Sequence, residues 1–408
     1  MSPPKAGVRY YGGGDWSGYG LSAIANVRAL LNAGIAVHWV PLSWHPDGMR
    51  ASSWHVNDGN KQALTSMGGS ALADLRVLIE RTQSPIACDT VVVHAPPESW
   101  PGLFEAGCRN IGCTAWETDR PPAHWMPLLA LADDVVVPSA WNKGVFERAG
   151  IGVPVHVIPH IRRHTWNDYS PTELAQARED LRIPAGNRIF YSINAWDPRK
   201  NMEALVRVFA LEFDQAEPVT LLIKTGRLGH GPGPYYKREP TPELAARALG
   251  MVSGARGREP AQVIVHDEPL DAAGIDLIHA LGDAFVSLTH GEAFGLGTFE
   301  AATRATPVIA TNWSGHLDYL GQNWPGSVPS RSARVPLWPP HRPSYFPSQR
   351  WAQADGPSAG QLMRKFFDDP EPFRMQAREI RESIVQNFGE PVVARRWLDM
   401  LHLATATA

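Results

Sequence analysis

A chain of 408 residues, 44% of them apolar, has a globular composition and is too long for one ordinary core, which calls for two domains. Thirty-eight Lys and Arg against 41 Asp and Glu leave a formal charge of −3, which argues against a general nucleic-acid-binding surface. No apolar run reaches the roughly 18 residues of a membrane span, and Met1-Ser-Pro-Pro-Lys-Ala-Gly7 lacks the apolar centre of a signal peptide.

Cys88, Cys108 and Cys113 are odd in number and irregularly spaced, which fits reduced thiols in a cytoplasmic protein without a metal or disulfide framework. Net charge does not report distribution, so peripheral contact of a local basic patch with an inner membrane surface stays open. The 15 tryptophans are a high count; most such side chains serve packing, and they argue only weakly for a carbohydrate ligand.

In chain order, Val8-Arg-Tyr-Tyr11 reads as a first strand, Gly12 to Gly20 as a glycine-rich loop, and Leu21 to Ala33 as a helix stopped by Gly34. Ile35 to Val40 is the next strand. Further short, β-branched strands are expected at Thr90–His94, Cys113–Trp116, Asp134–Val137 and Val153–Ile158. Such runs between helical stretches indicate a parallel sheet covered on both faces. Pro159 to Trp166 reads as the link between halves. Ser170-Pro-Thr-Glu173 is a capping box with proline in the first turn.

The second half repeats the pattern. Strands are expected at Arg188–Ile193, Val219–Ile223 and Gln262–Val265, with an amphipathic helix from Lys200 to Phe213. A Gly/Pro-rich loop spans Gly226 to Pro240, and a helix capped by Thr241 follows. Asn323 to Ser348, rich in Pro and Arg, shows little periodicity. Helices close the chain at Ser358–Phe367, Glu371–Phe388 and Pro391–Leu403.

The most informative stretch is Glu292-Ala-Phe-Gly-Leu-Gly-Thr-Phe-Glu300. The buried strand Ala284–Leu288 precedes it, a short helix from Thr298 to Arg304 follows, and Pro307-Val-Ile-Ala310 is another strand. A glycine turn between a strand and a helix sits at the carboxyl edge of a parallel sheet, where open α/β folds bind ligands. The helix start offers free amides and a positive dipole end suited to phosphate. Two carboxylates beside an anion-binding turn point to a ligand with both phosphate and hydroxyls, such as a sugar nucleotide.

With its flanks, His290-Gly-Glu292-Ala-Phe-Gly-Leu-Gly-Thr-Phe-Glu300-Ala resembles the signature of glycosyltransferase family 4, two glutamates separated by seven residues. The likeness continues through Thr306-Pro-Val-Ile-Ala310 and Asn312-Trp-Ser-Gly315, with weaker echoes over most of the chain. It implies the GT-B fold: two Rossmann-like, doubly wound parallel-sheet α/β domains facing a central cleft, closing around the donor. The acceptor-side domain would be residues 1–165 and the donor domain residues 166–390, with residues 391–408 packing back on the first.

By the same resemblance, Glu300 takes the ribose hydroxyls and Glu292 sits by the donor sugar. Backbone amides of Ala293, Phe294, Gly295, Leu296 and Gly297 hold sugar and phosphate oxygens, with Thr298 adding a hydroxyl. Lys200, in Asp197-Pro-Arg-Lys200, matches the family's phosphate lysine. Many relatives carry an arginine six residues earlier, where this chain has Asn194; Arg199 or Lys224 would supply that charge. In the first domain, the loop with Gly18 and Gly20 would approach the donor phosphate. His94, ending a strand, would bond donor sugar or acceptor, and Glu117 would bind acceptor hydroxyls. Asp119 and Arg120 equally suit a pair with each other, and Ser139 and His160 are weaker candidates.

The implied activity is transfer of a hexose from a UDP- or GDP-linked sugar, with retention and without metal or other cofactor, to a glycan, lipid-linked or protein acceptor. UDP-glucose, UDP-galactose and GDP-mannose all remain open as donors. A phosphorylase or sugar-nucleotide isomerase on the same fold, and a non-catalytic sugar-nucleotide-binding protein, are the alternatives.

Overall fold

Runs such as Val219-Thr-Leu-Leu-Ile-Lys224 and Thr90-Val-Val-Val-His94 have unbroken apolar centres, and both lie almost wholly buried. Strands buried on both faces belong to parallel sheets sandwiched by helices, and two such sheets are formed. The computed structural model describes residues 7–15, 17–45, 48–52, 69–163, 165–230, 238–257, 259–336 and 344–402. The chain divides into one unit of Met1–Arg162 with Gln386–Ala408 and another of Arg163–Val385.

The first unit contains β1 (Gly7–Gly13), β2 (Ala36–His45), β3 (Gly48–Ala51), β4 (Thr90–His94), β5 (Arg109–Cys113), β6 (Asp134–Val137) and β7 (Val155–Val157). Their order is β3-β2-β1-β4-β5-β6-β7, parallel except for the antiparallel edge strand β3. The order reverses between β1 and β4, so the loops after these strands flank a switch point. The helix Glu390–Leu401 contributes Val393, Trp397, Leu398 and Leu401 to this unit's core, beside Tyr10, Val27 and Leu30. Arg28 and Asn32 on the helix Gly18–Asn32 bind its Glu390.

The second unit holds β8 (Arg188–Ile193), β9 (Val219–Lys224), β10 (Leu228–His230), β11 (Arg238–Pro240), β12 (Gln262–His266), β13 (Ala284–Ser287), β14 (Val308–Thr311), β15 (Ser327–Val328), β16 (Ser330–Arg334) and β17 (Arg350–Ala354). The main sheet runs β12-β9-β8-β13-β14-β15, and β10–β11 and β16–β17 are antiparallel pairs. Its switch point lies between β8 and β13. Phe190, Phe209, Phe213 and Phe366 anchor its core.

Several local expectations are corrected. Ser17 caps the helix Gly18–Asn32 through its side chain, so Gly18 and Gly20 stand in the first helical turn instead of a loop. The strand expected at Cys113–Trp116 is Arg109–Cys113, so Glu117 lies in the following loop and does not end a strand. The helix expected from Lys200 is split: Pro198–Lys200 form a short 3-10 turn capped by Asp197, Asn201 adopts a left-handed conformation, and the α-helix is Met202–Glu212. Thr241 does not cap its helix; its hydroxyl donates to Gly226 O. The aperiodic stretch after Asn323 supplies β15 and β16. Parts of that stretch (337–343) and of the Gly226–Pro240 loop (231–237) lie outside the described residues. The capping box at Ser170 and Glu173 forms as read.

Candidate active site

The loops after β8 and β13 are stitched together at the switch point of the second unit. His290 N donates to Arg199 O at 2.8 Å, Thr289 Oγ1 to the same carbonyl at 3.2 Å, and Asn201 Nδ2 to Leu288 O at 3.0 Å. This stitching brings three sequence candidates into one cluster. Lys200 Nζ lies 2.6 Å from Glu292 Oε1, and Arg199 Nη1 lies 3.1 Å from Glu292 Oε2 while donating to Gly291 O at 2.5 Å.

The Glu292 carboxylate is almost fully buried. Burial pushes its pKa up, but Lys200 and Arg199 more than offset this and hold it down to about 2. Two cations converge on one carboxylate at the edge of the sheet, an arrangement suited to an oxyanion ligand.

The Glu292 loop is braced from below by the turn after β14. Ser314 Oγ accepts from Glu292 N at 2.9 Å, and Gly315 N donates to Glu292 O at 2.8 Å. A Cβ on Gly315 would fall 1.9 Å from Ala293 O, so this approach admits only glycine. His290, the histidine before Gly291, stacks on Trp351 with ring centroids 4.3 Å apart and donates Nδ1–H to Ala352 O at 2.6 Å. Burial lowers its pKa to about 4, so the ring is neutral.

Gly295 turns the chain into the helix Leu296–Thr303 with a φ of 86°, a conformation that favours glycine. Gly297 packs close to Ile193 O, and a Cβ there would sit 2.9 Å away. Phe299 N already bonds Gly295 O at 2.9 Å; the amides before it stand in the first turn, where a helix offers no acceptor. The side chains of Ala293 and Phe294 are buried, and Phe294 packs on Phe299 and Tyr319, so only their backbone can serve a ligand. The Thr298 side chain is buried against Tyr319, away from the role of a free phosphate-facing hydroxyl. Tyr319 Oη in turn donates to Phe294 O and Gly295 O, at 3.1 and 2.9 Å.

Glu300 is more open, with its side chain 27% exposed, and lies 3.5 Å from His279 Nε2. Lys224 ends β9, where Asn194 N bonds its carbonyl, and its Nζ donates to Thr225 O at 2.6 Å. Burial lowers its pKa against the pull of Asp267 and Glu268. The second cation on the Glu292 carboxylate, beside Lys200, is therefore Arg199, with Lys224 turned to the β12 side of the sheet. Asn194 Nδ2 donates to Ser192 Oγ at 3.0 Å.

A second cluster gathers at the carboxyl edge of the first unit's sheet. His94 is buried, with Nδ1 2.9 Å from Tyr10 Oη and its ring 5.5 Å from that of Tyr19, the residue between Gly18 and Gly20. Burial, then the charge of His160, lowers the His94 pKa to about 3, so it acts as a neutral ring. Tyr19 Oη reaches Thr114 Oγ1 at 3.2 Å, and the charge of Glu117 acts on it. Ser139 is fully buried and caps the helix Ala140–Arg148 by accepting from Asn142 N, a structural role. Asp119 and Arg120 pair with each other at 3.1 Å. The three cysteines are free thiols, and burial pushes that of Cys113 up.

Sequence reasoning missed Tyr19, Ser314 and His279. Tyr19 was signalled by its two glycines; the others act through partners far away in sequence. Among the described residues, no three His, Cys, Asp or Glu side chains gather as a metal site, and no helix is long and apolar enough to cross a membrane.

No protein-family model and no curated protein matches the chain. Solved structures do. It is similar to sucrose-phosphate synthase from Thermosynechococcus elongatus, at 16% identity and a TM-score of 0.60, with 98% of each chain covered. It is also similar to HepE of Anabaena in complex with UDP-glucose, at 13% identity and a TM-score of 0.62, covering 97% of this chain and 99% of that one. A glycosyltransferase from Rickettsia africae ESF-5 matches at 14% identity and a TM-score of 0.61, with 97% of each chain covered. The fold is GT-B. In GT-B terms, the Glu292 cluster belongs to the second Rossmann-like unit and the His94 cluster to the first.

Proposed function

We propose that this chain is a retaining, metal-independent hexosyltransferase of the family 4 kind, using a UDP- or GDP-linked sugar and a glycan, lipid-linked or protein acceptor. The observation that carries the reading is the buried Glu292 carboxylate clamped by Lys200 and Arg199, one glycine turn before the helix Leu296–Thr303. HepE is bound to UDP-glucose in its structure, which supports UDP as the first base to try.

In this reading the pyrophosphate lies over Lys200, Arg199 and the helix start. Charge gathers on the leaving phosphate as the glycosidic bond breaks, and fixed cations with helix amides stabilise it. Glu292, held ionised at about 2 and engaged on both oxygens, orients these cations and sugar hydroxyls; it is neither nucleophile nor base. The leaving phosphate itself then takes the acceptor's proton on the front face, and positioning supplies much of the catalysis. Glu300 accepts from the ribose hydroxyls. His94 and Glu117 of the first unit serve the acceptor. Work at the cytoplasmic face, with peripheral membrane contact where the acceptor is lipid-linked, belongs to the same proposal.

The test is incubation with UDP-glucose, UDP-galactose and GDP-mannose in EDTA, following nucleoside diphosphate release and reading the product anomer by NMR. Release from one donor with its anomeric configuration kept is expected. Lys200→Ala should lower turnover on the order of 10²-fold and affinity much less, because its bond strengthens as charge develops. Strict metal dependence or an inverted product would contradict the reading.

A further inference from the structure

Behind Glu300 lies a buried polar chain that the mechanism above does not use. His279, on the helix Ala272–Leu281, has a fully buried side chain. Its Nδ1 lies 2.8 Å from the hydroxyl of Tyr191, itself fully buried on β8. Its Nε2 has no partner at hydrogen-bonding geometry, yet Glu300 Oε2 stands 3.5 Å away. Buried polar atoms nearly always have a partner, and one that faces a carboxylate across a slightly long gap has an acceptor within reach.

The tautomer follows from the neighbours. A carboxylate oxygen only accepts, so the ring nitrogen facing it carries the proton. In a neutral imidazole Nδ1 is then the acceptor, and Tyr191 Oη donates to it. The ring is fixed on its other sides as well. Trp166 packs edge-on against it with centroids 5.5 Å apart, and the guanidinium groups of Arg163 and Arg304 each lie 4.8 Å from the Trp166 ring. Arg163 is tied to Asp276, one turn before His279.

We infer that His279 is a positioning residue for Glu300: its Nε2–H draws in Oε2 and so aims the carboxylate at vicinal hydroxyls of a nucleotide ribose. This rests on the proposed reading of Glu300. The bond fixes one rotamer of a side chain that is otherwise partly exposed.

The experiment is calorimetric titration of UDP and GDP, each beside its 2′,3′-dideoxy counterpart, into wild type, His279→Leu, His279→Gln, Glu300→Ala and the His279→Leu/Glu300→Ala double variant. Wild type should prefer a ribonucleotide over its dideoxy form. His279→Leu should lose about tenfold in ribonucleotide affinity, the size of one hydrogen bond to a charged group, and nothing for the dideoxy form. The loss should vanish in the Glu300→Ala background, and His279→Gln, which keeps a donor, should restore part of it. Where His279→Leu does not fold, Tyr191→Phe keeps the buried ring and should show a ribose-selective loss of about two- to threefold. Full ribonucleotide affinity in the variant, or an equal loss for both nucleotide forms that persists without Glu300, would overturn the inference. A wild type that binds nucleotide but ignores the ribose hydroxyls would overturn the role of Glu300, and that of His279 with it.

Discussion

At the scale of single residues, the balance at Glu292 decides the chemistry. Burial opposes its charge, and Lys200 and Arg199 restore it. A folded-state value of about 2 against an ordinary 4.5 corresponds to roughly 3 kcal/mol of stability. Because the folded value is depressed, this contribution is complete above about 4.5 and fades as pH falls toward 2. Glu292→Gln should therefore be less stable than wild type at pH 7, with the gap narrowing as pH is lowered from 5 to 3. Chemical denaturation at several pH values checks this, and a gap that ignores pH would mean that the ion pairs contribute little. Glu292, Glu300 and Lys200 were legible because residue type, spacing and the glycine turn are local. Tyr191 and His279 were not, since nothing in either segment says that a tyrosine on β8 and a helical histidine 88 positions later share a hydrogen bond.

At the scale of elements, parallel strands buried on both faces announced themselves as short runs of β-branched and aromatic residues; β4, β6 and β8 fall at the expected bounds. β5 did not, because it opens with Arg109 and Asn110, whose polar side chains reach Asp134 and Glu105 at the strand's entry. The left-handed Asn201 was also hidden: the apolar spacing begins only at Met202 and says nothing of the residue before it, while the side-chain amide of Asn201 is committed to Leu288 O. The same stitching makes the site sensitive to its underside. Gly315→Ala puts a methyl against the Ala293 carbonyl, a backbone atom that cannot swing aside, and must displace the Glu292 loop. A fall in melting temperature together with loss of nucleotide affinity is expected. Ser170→Ala, which breaks only the capping box, should cost about 1 kcal/mol and leave nucleotide affinity intact, so it separates the two effects. Equal affinity in the Gly315 variant would show that the loop tolerates displacement.

At the scale of the whole molecule, the chain leaves the first unit at Arg162 and re-enters it at Gln386. The closing helix is part of that unit's core: Trp397 is fully buried, packs on Tyr10 and donates to Asn26, which in turn donates to Tyr10 beside His94. Trp397→Ala should cost about 3–5 kcal/mol in urea unfolding. A cost near zero would show that the helix is dispensable to the core. That this last segment packs back on the first domain was implied by the resemblance, but the side chains that carry the packing were not legible, because Trp397 and Asn26 stand 371 positions apart.

The most direct test of the central claim is a thermal-shift panel of UDP, GDP and their sugar conjugates in EDTA, run on wild type and Glu300→Ala. The account predicts that one base family raises the melting temperature without metal. It also predicts that Glu300→Ala, weakened by roughly 2–4 kcal/mol in binding, loses most of that shift while keeping the wild-type fold. No shift at millimolar concentrations of any nucleotide, or an equal shift in Glu300→Ala, would contradict it.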